Sequence, residues 1–157
     1  MSAPQDKIYN VYWEGPFEWK QIDTTQRAQH VFYAIYGTHP VYGTGSLLYI
    51  GRVERSGSKR LSEHNSWVKN ESGQVYFYLG SVCEFENWAL WNVEKCYKSA
   101  ELSLIASIET LLIHAHQPAY NSKSMGKPPE FHSIRLFNSG KYETLLPECS
   151  FRYYRDE

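Results

Sequence analysis

Two short β-prone runs, HVFYAIYG (30–37) and SLLYIGRV (46–53), flank THPVYGTG, whose glycine, proline and threonine are connection chemistry. They predict a pair of adjacent antiparallel strands. The next stretch offers Ser56 or Ser58 as an N-cap and then runs without internal proline or glycine up to Gly73, predicting a helix over 58–69. QVYFYLGSV (74–82) predicts a third strand, while the tryptophan-rich FENWALWNVEKC fits a strand, a loop or a short helix equally well. SAELSLIASIETLLIHAH predicts the best helix of the chain, capped by Ser99, with Glu101 against the positive end of the helix dipole and a stop before Pro118.

The flanks have their own pattern. IYNVYWEGPFEW (8–19) carries aromatic, strand-prone residues broken by Glu14-Gly15-Pro16, which predicts an N-terminal strand or irregular hairpin. Beyond the loop-like SKSMGKPPE, the runs HSIRLF and KYETLL on either side of Asn138-Ser139-Gly140 predict a C-terminal β-hairpin. At 157 residues the chain fits a single domain spanning 1–157, with a core of about 31–121, an arm of 1–30 and an extension of 122–157.

Composition narrows the function classes. With 42% hydrophobic and 21% charged residues and no apolar run near the roughly 18 residues a bilayer demands, no membrane segment is expected. The start MSAPQDKIYN lacks a basic and apolar leader, and the three cysteines are odd in number and far apart, so reduced thiols in a cytoplasmic protein are expected. A formal net charge of −1 excludes a strongly basic body, leaving any nucleic-acid affinity to a local patch.

Glu109 does not suit a plain core helix. It is the only Asp, Glu, Lys or Arg between Leu102 and Ser122, and its helical neighbours are Ile105, Ala106, Leu112 and Ile113. A carboxylate rising from an apolar face calls for a cation, a hydrogen-bond cage or a cleft. A divalent metal would serve; a position at the edge of the face, reaching solvent or an arginine, is the plainer alternative. Arg60 and His64, four apart, project from one side of the 58–69 helix and suit a phosphate, although a solvated face explains that spacing too. His114, His116 and the cysteines have no zinc-ligand spacing, and neither a P-loop nor a G-x-S-x-G motif is present.

Taken in order, these elements resemble the GIY-YIG nuclease superfamily. Ala34-Ile35-Tyr36 stands where its first motif falls, with Ala34 in place of the family glycine, and Tyr49-Ile50-Gly51 is the second motif. Arg60 with His64, Glu109 on the long helix, and the closing Pro118-Ala119-Tyr120-Asn121 follow in the family's order. The resemblance implies an α+β fold, a small three-stranded antiparallel central sheet flanked by helices, extended here by the N-terminal strand or hairpin and the C-terminal hairpin. It further implies a metal-dependent DNA endonuclease of restriction, mobile-element or repair type.

In that reading Glu109 holds Mg²⁺, with Mn²⁺ as a substitute, and Arg60 grips the phosphate through its planar fork. Tyr36 is the general base or water-positioning group, Tyr49 positions water or phosphate, His64 is a proton partner, and Asn121 locks the site's geometry. One such site cuts one strand, so a homodimer would be needed for both strands of a symmetric target. The rival is a catalytically silent DNA-binding or interaction domain. Residues 1–30 and 125–157 match no accessory recognition module.

Overall fold

The computed structural model describes residues 7–21, 30–52, 64–71, 73–84, 102–121 and 134–151. Six strands, β1 (Lys7–Glu18), β2 (His30–His39), β3 (Gly43–Arg52), β4 (Tyr76–Glu84), β5 (Ile134–Gly140) and β6 (Glu148–Ser150), form one curled mixed sheet in the order β3-β2-β4-β1-β5-β6. Two α-helices accompany them among the described residues, the single-turn α1 (Asn65–Val68) and the long α2 (Leu102–His116), and a 3₁₀ turn at Trp19–Gln21 follows β1.

This overturns the expected small three-stranded sheet flanked by helices. β3, β2 and β4 do pair antiparallel, but the presumed N-terminal arm is an interior strand: β1 pairs antiparallel with β4 and parallel with β5. The physical reason lies in its inward residues. Val11 and Trp13 are fully buried in the main core, and the Gly15-Pro16 interruption is absorbed by a cis peptide and a register shift between Glu14 and Phe17 rather than ending the strand. The C-terminal hairpin also differs, since β6 is Glu148–Ser150 while KYETLL forms turns, with Glu143 at φ +50°.

Strand alternation divides the core in two. Phe32, Ala34 and Tyr36 of β2 face the cluster that takes Ile105, Ile108, Leu111, Leu112 and Ile113 from α2. Tyr33 and Ile35 face a second cluster built with Phe77, Leu79 and Val68 and roofed by Phe17, Trp19 and Trp67. Trp19 Nε1 donates to Asn65 Oδ1 at 2.6 Å, which ties the end of β1 to the first residue of α1.

Long-range polar bonds hold the outer strands. Trp13 Nε1 donates to Asn138 Oδ1 at 2.9 Å, and the same amide donates through Nδ2 to the Leu146 carbonyl at 2.8 Å. His116 Nε2 accepts the Leu146 N–H at 2.8 Å, so its proton sits on Nδ1 and is donated to the Leu112 carbonyl at 2.7 Å. Cys83 is disulfide-bonded, against the expectation of three reduced thiols, and Cys149 is a buried free thiol whose pKa burial pushes up to about 12. None of the described helices is long and apolar enough to cross a membrane.

Asn138→Ala strands the buried Trp13 N–H and should lower the unfolding free energy by about 2–3 kcal/mol in urea titrations, without a change in m-value. Burial lowers the pKa of His116 below the ordinary 6.5. The unfolded chain therefore gains this proton first, and stability falls as pH drops below 6.5 toward the lowered native value. His116→Gln should remove that part of the slope in melts recorded between about pH 7 and 5.

Candidate functional site

β3 is the outermost strand at one end of the sheet, and its free edge is closed by the segment that follows α2. Gln117, at φ +47°, turns the chain out of the helix, and Pro118 prevents its continuation. Ala119 and Tyr120 N–H groups then donate to the Leu47 and Leu48 carbonyls at 3.2 and 2.8 Å. Asn121 completes the seal: Oδ1 accepts the Ile50 N–H at 2.9 Å and Nδ2 donates to the Ile50 carbonyl at 3.0 Å. One buried side chain thus does the work of a paired residue in a neighbouring strand.

With Ile50 fixed, Tyr49 and Gly51 point to the face of Tyr33. Tyr33 and Tyr49 stack with centroids 6.0 Å apart, and His64, just before α1, lies 4.5 Å from Tyr49 and 5.6 Å from Tyr33. Tyr33 Oη and His64 Nε2 are 2.8 Å apart. The direction of that bond follows from the other ring nitrogen. Trp67 Nε1, a donor only, gives its hydrogen to His64 Nδ1 at 2.9 Å, so neutral His64 carries its proton on Nε2 and donates it to Tyr33 Oη. A hydrogen bond received by a phenol oxygen favours the phenolate. His64 therefore supports Tyr33 as a donor and takes no proton from it in this tautomer.

Gly51 is required here. A Cβ at Gly51 would lie 2.3 Å from Tyr33 Oη, so any side chain would drive Tyr33 off His64. The glycine of the Tyr-Ile-Gly triplet provides room for a phenol on the neighbouring strand.

The structure brings Tyr49, His64 and Asn121 to one end of β3 but places Tyr36 elsewhere. Tyr36 is 1% exposed on the opposite face of the sheet, stacked on Tyr76 and edge-on to Tyr78, and its oxygen accepts the Thr144 hydroxyl at 3.1 Å. Burial, aided by the nearby Glu143 carboxylate and only partly offset by Thr144, pushes its pKa up to about 12. Such a phenol is ill suited to act as a base. Tyr33 instead stands beside Tyr49 and His64, and a second triplet ending in tyrosine, Val31-Phe32-Tyr33, was the signal available for it.

Glu109 meets Arg52, the residue after Gly51, at 3.7 Å from Nε to Oε2, with the two side chains 18% and 27% exposed. This is the arginine-reaching, edge-of-face position. Arg52 had no role in the sequence reading, although it directly follows the Tyr-Ile-Gly triplet. Arg60 lies outside the described residues. Among the described residues no three His, Cys, Asp or Glu side chains gather into a metal-binding group. One partly exposed carboxylate would suit a hydrated Mg²⁺ that keeps water on most of its positions.

Compared with known proteins, the chain matches no family model, no curated protein and no solved structure.

Gly51→Ala should cost about 1–3 kcal/mol in denaturant unfolding through overpacking against Tyr33. The tautomer is open to direct observation. Long-range ¹H–¹⁵N spectra at neutral pH should show the His64 proton on Nε2, and Trp67→Phe should introduce the Nδ1–H form; a wild-type ring protonated on Nδ1 would reverse the donor assignment.

Proposed function

We propose that the chain is a metal-dependent DNA endonuclease of the GIY-YIG kind, with Tyr33 rather than Tyr36 as its first tyrosine. The observation that carries this reading is the Tyr33–His64 hydrogen bond of 2.8 Å beside Tyr49, at the end of the Tyr49-Ile50-Gly51 strand. A phosphodiester hydrolase needs a group that orients or deprotonates water, a cation for the charge growing on phosphorus, and help for the departing oxygen. The residues around β3 divide these tasks.

Tyr33, fully buried, holds His64 beside Tyr49 through their 2.8 Å bond, and Tyr49 orients the attacking water, whose proton passes to solvent. The new bond joins that water oxygen to phosphorus, the bond from phosphorus to the 3′ oxygen breaks, and the leaving oxygen takes a proton from solvent. Tyr49 lines the same pocket of rings and positions the phosphate or the water. Arg60, by resemblance, supplies positive charge for the phosphate oxygens. Glu109 would hold Mg²⁺, which when bound supplies Lewis-acid stabilisation of the phosphate. Asn121 keeps the β3 backbone in register beneath these groups. A homodimer would be needed for coordinated cutting of both strands.

The test is nicking of supercoiled plasmid in Mg²⁺ against EDTA. Tyr49→Phe and Glu109→Gln should each slow cutting by about a hundredfold or more, within the range typical of lost acid–base or electrostatic groups. Tyr36→Phe should stay within a few-fold of wild type and instead cost about 1 kcal/mol of stability through the lost Thr144 bond. Absence of Mg²⁺-dependent cutting of supercoiled, linear and branched DNA by folded protein would make this an interaction domain without nuclease activity.

A further inference from the structure

Rings continue outward from the site. His64 lies edge-on to Trp67 with centroids 5.6 Å apart, Trp67 meets Tyr120 at 5.3 Å, Tyr120 meets His39 at 5.9 Å, and His39 stacks on Tyr42 at 4.5 Å. A continuous aromatic track therefore runs from Tyr49 and His64 to the tip of the β2–β3 hairpin. Its outer end is open to solvent: Tyr42 is 73% exposed and Tyr120 37%. Large apolar side chains held in water on one continuous surface mark a binding surface.

These rings are held by bonds rather than by burial. Val41 and Tyr42 N–H groups both donate to His39 Nδ1, at 3.0 and 3.2 Å, which fixes the turn and sets Tyr42 against the imidazole. Tyr120 is fixed by its backbone bond to Leu48, and its hydroxyl donates to Glu71 at 3.3 Å. The Trp67 N–H is committed to His64. Rings ordered before a ligand arrives lose little freedom on binding.

We propose that this track is a stacking subsite for the bases of an unpaired DNA strand whose scissile phosphate lies beside Tyr49, so that the preferred substrate is single-stranded or contains an unpaired segment. The assignment deepens the nuclease reading and rests on it for the position of the phosphate. Three observations favour bases. The indole N–H of Trp67 and the hydroxyl of Tyr120 are spent within the protein, so what these rings offer outward is π surface, which every base can use. A proline-rich peptide, the other common occupant of aromatic grooves, carries strong carbonyl acceptors that need those same donors. Addition of a peptide strand to β3 is obstructed, because the Leu47, Leu48 and Ile50 carbonyls already accept hydrogen bonds from residues 119–121.

Charge points the same way. A chain of net charge −1 gains little general attraction for phosphates. A duplex keeps its π-faces inside its own stack, whereas an unpaired strand can add stacking to the few available phosphate contacts. Glu71 beside Tyr120 keeps the sugar–phosphate chain on the side of the rings away from that carboxylate.

The measurement is fluorescence anisotropy of a labelled 20-nucleotide strand, and of its duplex, with wild-type protein in EDTA at about 0.1 M salt. Binding should favour the single strand. Tyr42→Ala and Tyr120→Ala should each weaken single-strand binding about tenfold, leave duplex binding unchanged, and lose their effect on a strand with abasic sites. Equal binding of strand and duplex, or variants that bind the strand as wild type does, would overturn the assignment, as would retention of full affinity by the abasic strand. Plasmid nicking separates the two readings. Nicking by wild type with ring-independent strand binding rejects the track and keeps the nuclease; ring-dependent strand binding without Mg²⁺-dependent cutting of any DNA keeps the base-stacking surface and rejects the nuclease.

Discussion

The candidate site hangs on two hydrogen bonds from one amide. Asn121 holds both backbone groups of Ile50, so the outer strand of the sheet ends in a fixed register without a further strand beside it. A sheet has a side-chain period of two, and a slip of one residue would move Tyr49 and Gly51 to the face of α2 and bring Ile50 among the rings. Tyr33 would then lose the space over Gly51 that lets it reach His64. The same register sets Arg52 toward α2, where it meets Glu109. An unpaired edge carries a cost for each buried polar group, and an amide that matches both groups of one peptide offsets it at a single residue.

Alternation on β2 explains why two tyrosines three residues apart behave so differently. Tyr33 belongs to the cluster roofed by Trp19 and Trp67, where a histidine donates to its oxygen. Tyr36 belongs to the main core, where its neighbours are Tyr76, Tyr78 and the Glu143 carboxylate. Both phenols are almost fully buried, so burial alone does not separate them. Each oxygen accepts a hydrogen bond, from His64 and from Thr144, and what differs is the Glu143 carboxylate near Tyr36. A donor stabilises negative charge on the phenol, while a carboxylate nearby opposes it.

Much of this organisation was legible in the residues. The β2–β3 pair, the third strand, the long helix ending before Pro118 and the odd placement of Glu109 all follow from local pattern and turn chemistry. The role of β1 was not legible, because what makes it an interior strand is Trp13 bonding to Asn138, a contact 125 residues away in the chain. A Gly-Pro interruption reads as a strand end, and only the pairing with β4, which resumes at Phe17, shows that the strand runs through it. The place of Tyr33 beside Tyr49 was hidden for a related reason. Which of Tyr33 and Tyr36 shares a face with Tyr49 depends on the register of the hairpin, and that register shifts between Ile35 and Tyr36.

Trp67 joins what would otherwise be two separate arrangements. Its N–H decides which nitrogen of His64 carries the proton, and that choice makes the Tyr33 oxygen an acceptor. Its ring meets Tyr120 edge to face at 5.3 Å and 87°. Tyr120 in turn sits one residue before Asn121, whose amide fixes Ile50. Tyr120 therefore touches the site from two directions, through the ring of Trp67 and through the backbone next to Asn121. The outward ring surface and the inward phenol thus share Trp67 as a common neighbour.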